Sequence, residues 1–175
     1  EHVEEVARQL RVPRITVGIP ALSKSSLNNR RGVNPLVKQG FEDTSAHTWI
    51  IDLQKPESVL FAELSQDARR RVRRAEASGH TTERGNWSEQ FDDYFRIQAE
   101  TYCRLGAEPL PKAYFEGVAS GFAPRGHSVL WVGCNAQGRP IAFLNSARFG
   151  QTSRCWTRCC RNEYLKSGIN YLLCW

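Results

Sequence analysis

Three features of the sequence predict an α/β fold in which a mixed, mostly antiparallel sheet is flanked by helices. The first is a run of three consecutive strands, Ser128–Cys134, Pro140–Phe149 and Thr152–Cys160, with a glycine in each connecting turn, Gly138 and Gly150, as tight chain reversal requires. The second is the apolar character of both strand faces. Val129 and Trp131 point one way and Leu130, Val132 and Cys134 the other, while Ile141 and Phe143 oppose Ala142 and Leu144. Such strands belong inside a sheet covered on both sides. The third is the order strand, helix, helix, strand, strand, strand and the start of a helix, which stacks helices on one sheet.

From the start of the chain, Val3, Val6, Ala7 and Leu10 fall at helical spacing and Pro13 ends that segment. Residues 14–19 alternate as a short strand, residues 23–40 have loop composition with a short helix near Pro35, and residues 41–52 return to strand character. A helix starts near Pro56, with Glu57 favourably placed by its dipole. A second helix is capped by Ser65 and stopped by Gly79. It carries Arg69, Arg70, Arg71, Arg73 and Arg74, so its arginines wrap around the helix, and some must lie along packed surface or meet an anion. A short strand over residues 80–83 follows. Ser88 caps a long helix that buries Phe91, Tyr94, Phe95, Ile97, Gln98 and Tyr102 and closes at Gly106, and a further helix runs from Lys112 to about Gly121.

The 175 residues, 41% hydrophobic, suffice to bury a core. The chain starts at Glu1, contains no methionine and stops within an apolar stretch at Trp175, and so reads as a fragment cut at both ends. No apolar run approaches membrane-spanning length. The six cysteines form no Cys-x-x-Cys pair and no zinc-finger spacing, so no metal site is expected, and they read as buried, reduced thiols of a cytoplasmic protein. The charge is uneven. Arg125, Arg139, Arg148, Arg154, Arg158, Arg161 and Lys166 face only Glu163 in the final third, which therefore carries the whole net charge of +6. That is the field a phosphate-bearing ligand would meet, and equally the field of a solvated basic face.

Three stretches carry a family resemblance. Residues 48–53, with the basic segment from Asp67 to Gly79, resemble a strand followed by an R-x-x-R-K-A-x-x-x-G segment; residues 100–106 resemble a T-x-x-R-x-G helix end; and residues 138–142 resemble a dG-x-x-I-A turn into a central strand. In this order they are similar to the GCN5-related N-acetyltransferase (GNAT) fold, and within it to the FemAB-like transferases. The resemblance implies the C-terminal part of a first GNAT-like subdomain over 1–53, connecting helices with the basic segment over 54–79, and a second subdomain over 80–175 that lacks its last helix and strands. It implies transfer of an acyl group, acetyl or aminoacyl, from a CoA thioester such as acetyl-CoA or from aminoacyl-tRNA to an amine, on a cell-wall or polysaccharide precursor.

The resemblance also implies site residues. Glu100 stands where a general base is needed and Tyr171 where a tyrosine protonates the leaving group. Arg158, Arg161, Lys166 and Gly168 are the candidates for donor phosphates, and Thr101, Arg104 and Arg74 for substrate contact. The splay that admits the donor would fall between residues 141–148 and 154–160. Gly168 alone replaces the two closely spaced glycines of the acetyl-CoA pattern, which leans towards a non-standard donor. The other reading is a non-catalytic, basic RNA-binding or scaffold module on the same core, with Arg69–Arg74 on a nucleic-acid backbone or paired with Glu63, Asp67 and Glu76 as a connector.

Overall fold

The computed structural model describes residues 2–9, 11, 12, 15, 17, 34–44 and 50–175. The chain divides into two compact units, Glu1–Lys55 and Pro56–Trp175. In the first, helix α1 spans His2–Gln9, and a 3-10 turn at Pro35–Gln39 starts where the Asn34 side chain accepts the Leu36 N–H. The strands expected over 14–19 and 41–52 are absent wherever the chain is described: Ile15, Val17 and residues 41–44 and 50–52 have no regular structure, and the rest of those stretches lies outside the described residues. Ile50, Ile51 and Leu53 are exposed. β-Branched residues order into a strand only when a neighbouring strand and a covered face receive them.

The second unit begins with α2 (Glu57–Glu63), with Pro56 at its N-cap, and α3 (Gln66–Ala77), where Ser65 accepts the Ala68 N–H as its cap. Strand β1 (Thr81–Arg84) precedes α4 (Trp87–Arg104). The cap of α4 is Asn86 rather than Ser88: its side chain accepts the Ser88 N–H at 3.1 Å, and Gln90 reaches back to the Asn86 N–H, a reciprocal arrangement that satisfies the free donors of a helix start. Helix α5 (Lys112–Gly117) ends in one wide turn, Val118–Phe122, closed by an Ala123 N–H to Val118 O bond. Strands β2 (Ser128–Cys134), β3 (Pro140–Phe149) and β4 (Thr152–Cys160) have the bounds expected from sequence. A 3-10 turn at Asn162–Tyr164 leads to α6 (Ile169–Leu172).

The sheet order is β1-β2-β3-β4, all antiparallel. Alternation along the strands gives two separate cores. Val132, Phe143 and Cys159 meet Trp87, Tyr94, Ile97, Phe115 and Val118 from α4, α5 and the wide turn. Ala142, Leu144 and Cys160 meet Val72 and Ala75 of α3 and Ile169, Leu172 and Leu173 at α6. Tyr94 is the hub of the first core, edge-on to Trp87, Phe115 and Phe143 at 4.9, 5.1 and 5.7 Å between ring centres, the offset geometry aromatic quadrupoles favour. The second face is only partly covered, since Trp131 keeps 39% of its surface. Ile141 joins Ala142 in the second core instead of opposing it, because the register shifts between Gly133 and Cys134 at the start of β3.

Two expectations are corrected here. The splay between β3 and β4 does not exist: the two strands pair from Ala142↔Cys160 to Phe149↔Thr152, interrupted only by a bulge at Asn145/Ser146. Being hairpin partners joined through Gly150, they are held in register by their turn. The six cysteines are not all buried either. Cys134, Cys159 and Cys160 are, but Cys103, Cys155 and Cys174 are exposed, and all six are free thiols.

Candidate active site

The last two turns of α4 lie against the end of β4, and Thr101 makes the junction. Its Oγ1 accepts the Cys160 N–H at 3.2 Å and lies 3.3 Å from Cys160 O and 2.9 Å from Ile97 O. Arg104, one turn on, donates from Nη1 to Cys160 O at 3.3 Å and to Asn162 Oδ1. Glu100 Oε1 accepts the Asn162 N–H at 2.8 Å, taking the part of a cap for the 3-10 turn. Three residues predicted for catalysis and substrate contact, Glu100, Thr101 and Arg104, are thus brought together, and they hold the strand end and the turn after it.

The predicted phosphate contacts do not share one locus. Arg158, on β4, donates to Cys174 Sγ at 3.1 Å. Arg161 lies just beyond the strand, with Nε 3.4 Å from Pro140 O and its guanidinium 4.0 Å from Asp93 on α4. Lys166 is exposed on the loop before α6. Gly168 is buried at φ 94°, and a Cβ there would lie 2.4 Å from Arg71 O. Its lack of a side chain is what lets this turn seat on α3. The Ile169 N–H behind it is already 3.3 Å from Ser167 Oγ.

Tyr171 belongs to the α3 side of the sheet, apart from the Glu100 cluster on α4. The Arg71 guanidinium sits 5.0 Å from the centre of its ring while also donating to Asp67 at 2.6 Å. Asp67 takes Arg70 as well, and the two hydrogen bonds, Arg71 first and Arg70 second, hold its carboxyl below the usual value. Arg69 caps the preceding helix through Ala62 O and Leu64 O, and Arg73 stacks on Phe61. Of the predicted basic segment, Arg74 is left as an exposed cation on α3 with Arg70 and Arg73 beside it.

A second polar group was not predicted. Trp87 Nε1 donates to Ser128 Oγ at 3.2 Å, Ser128 donates to Asn145 Oδ1 at 2.8 Å, Asn145 pairs across the strands with Thr157, and Thr157 Oγ1 is 2.6 Å from Tyr94 OH. This row crosses the first core beside the β3–β4 bulge. Burial pushes the Tyr94 hydroxyl well above its ordinary value, with the Thr157 bond pulling the other way, so it stays protonated. Its sequence signal is polar residues at core-facing strand positions, Ser128, Asn145 and Thr157, where alternation calls for apolar ones. Among the described residues no group of three or more His, Cys, Asp or Glu side chains is placed to hold a metal, and no helix is long and apolar enough to cross a membrane.

Residues 62–175 match the acetyltransferase (GNAT) domain family. The chain belongs to the GNAT family. The matched residues run from the end of α2 to the last residue and so take in the whole sheet, with α3 to α6 around it. The crystal structure of FemX, a FemAB-family protein, has a similar fold, with a TM-score of 0.62 at 14% sequence identity over 98% of this chain. The chain spans 61% of the FemX chain. No curated protein matches. A FemAB-like GNAT fold, expected from three short stretches, is therefore the fold found.

Among the described residues β4 pairs with β3 on one side only. An edge strand presents unpaired N–H and C=O groups to whatever lies beside it. Here α4 closes that edge at Cys160 through Thr101 and Arg104, and the run before it, from Thr152 to Arg158, is largely exposed.

Proposed function

We propose that this GNAT domain belongs to an N-acyltransferase that moves an acyl group from a CoA thioester or an aminoacyl-tRNA to an amine acceptor, on a cell-wall or polysaccharide precursor. The observation that carries the reading is the GNAT-family match over residues 62–175, which takes in all four strands of the sheet. The donor would lie along β4, with Arg158, Arg161 and Lys166 meeting its phosphates at separate points rather than in one cradle. Gly168 serves the packing of its turn on Arg71, and Ile169 N–H is met by Ser167. With the Ile169 N–H engaged and Gly168 alone in place of two closely spaced glycines, the aminoacyl-tRNA donor is favoured over acetyl-CoA. Glu100 would take the proton of the attacking amine, through a carboxylate already oriented by Asn162. Tyr171, on the α3 side of the sheet under the Arg71 guanidinium, stands apart from Glu100 and is given no part in the same proton transfer.

The test is thermal stabilisation of the full-length protein by acetyl-CoA and, separately, by a charged tRNA, each titrated at two salt concentrations. A saturable shift with charged tRNA that survives the higher salt supports the aminoacyl transfer reading, and a shift with acetyl-CoA alone replaces it with CoA-dependent acetyl transfer. Binding that disappears at the higher salt and is accompanied by no turnover identifies the non-catalytic module instead. Glu100→Gln keeps the Asn162 bond, and a large fall in kcat at unchanged melting temperature is expected of it if Glu100 is the base.

A further inference from the structure

Cys155 and Cys174 are exposed thiols that share one arginine. Arg158 Nη1 donates to Cys174 Sγ at 3.1 Å. The register of the bulge places Cys155 on the same side of the sheet as Arg158: Arg158 pairs with Leu144 and Cys155 with Ser146, leaving Trp156 as the extra residue. Cys174 in turn acts on the Cys155 thiol. Partial burial pushes the Cys155 thiol up, Cys174 adds to that, and Arg158 and Arg154 pull it down. An arginine N–H held against a sulfur fixes its position and faces the negative charge it carries when it attacks an oxidant.

We propose that Cys155, Arg158 and Cys174 form an oxidant-sensitive dithiol site, in which a hydroperoxide converts the two thiols to a disulfide that ties the end of α6 to β4. The Cys174 thiolate, held by Arg158, attacks one oxygen of the hydroperoxide. An S–O bond forms, the O–O bond breaks, and the other oxygen leaves as an alcohol or water after taking a proton. Cys174 is now a sulfenic acid, oxidised by two electrons. Cys155 sulfur then attacks Cys174 sulfur: the S–S bond forms, the S–O bond breaks, and water departs with the Cys155 proton. A disulfide closes only when the two Cα atoms come within about 7 Å, so the product itself reports whether the turn after α6 reaches β4.

The proposal is independent of acyl transfer and is tested without an activity assay. The full-length protein is treated with hydrogen peroxide, residual thiols are alkylated, and peptides are mapped by mass spectrometry. Cys103, exposed on α4, is the internal comparator. The expected result is an intrachain Cys155–Cys174 disulfide formed while Cys103 is still reduced. Arg158→Gln, at an exposed position, removes the donor to Cys174 Sγ and is expected to slow it several-fold. In Cys155→Ser, Cys174 is expected to persist as a sulfenic acid that dimedone traps. Oxidation of Cys174 at the rate of Cys103, exclusively interchain disulfides, or an unchanged rate in Arg158→Gln would overturn the proposal.

Discussion

Thr101 Oγ1 meets both backbone groups of Cys160, at 3.2 Å from its N–H and 3.3 Å from its carbonyl oxygen. One hydroxyl on α4 therefore closes the outer edge of β4 at the point where the strand ends. Valine has the shape of threonine without the hydroxyl, so Thr101→Val leaves packing intact and removes only these bonds. A buried N–H without an acceptor costs about 1–3 kcal/mol. A loss of that size in urea denaturation is expected for Thr101→Val, and Thr101→Ser should recover most of it.

The row from Trp87 to Asn145 makes a second prediction. Ser128 stands between the Trp87 indole N–H and Asn145 Oδ1, so Ser128→Ala leaves a buried donor and a buried acceptor at once. The single substitution should cost about 1–3 kcal/mol for each group left unpaired. Replacing both partners removes the polar atoms together. In a double-mutant cycle Ser128→Ala and Asn145→Val should therefore be non-additive, with a coupling of about 0.5–3 kcal/mol. Strict additivity would show that the two side chains do not act as a unit.

Gly168 is the third test, because its expected role and its place differ. A side chain there would adopt φ 94° and put Cβ 2.4 Å from Arg71 O. The left-handed conformation alone costs an L-residue about 1–2 kcal/mol, and the backbone overlap adds to it. Gly138 takes φ 73° with nothing within 4 Å of an added Cβ. Gly168→Ala should lower the melting temperature well beyond Gly138→Ala. Equal effects would mean that α3 can withdraw from the turn, and would reopen it to a phosphate.

What the sequence made legible was local, and what it hid depended on neighbours. The three strands from Ser128 to Cys160 were readable because their alternation and the glycines at 138 and 150 sit within the segment itself. The bulge at Asn145/Ser146 was not, since nothing in the composition of β3 or β4 marks which residue will go unpaired. Thr101 and Arg104 were singled out by resemblance and do act together, but their partner is the backbone of Cys160, 59 and 56 residues away. The arginines of α3 read as a possible nucleic-acid face, yet Asp67, Phe61 and Tyr171 engage Arg70, Arg71 and Arg73. The exposure of Cys155 and Cys174 depends on their neighbours in the fold, which a count of cysteines does not reveal.

The buried thiols and Tyr94 set the response to alkali. Burial pushes Cys160 up to about 11 from an ordinary 9.0, raises Cys159 further still, and raises Tyr94 above its ordinary 10.0. Near pH 7 these groups are protonated in both folded and unfolded chains, and they leave stability unchanged there. As pH rises past the unfolded values, the unfolded chain releases protons that the folded chain keeps, so unfolding gains free energy. Stability should be level from pH 7 to about 8.5 and then fall, with Cys160 contributing between about 9 and 11 and Cys159 and Tyr94 continuing beyond. The urea midpoint measured at pH 7, 8.5 and 10 checks this. Cys159→Ala costs core packing at every pH but should flatten the alkaline fall, because the group that releases the proton on unfolding is gone. A wild-type midpoint at pH 10 equal to that at pH 7 would mean that water reaches the two cores.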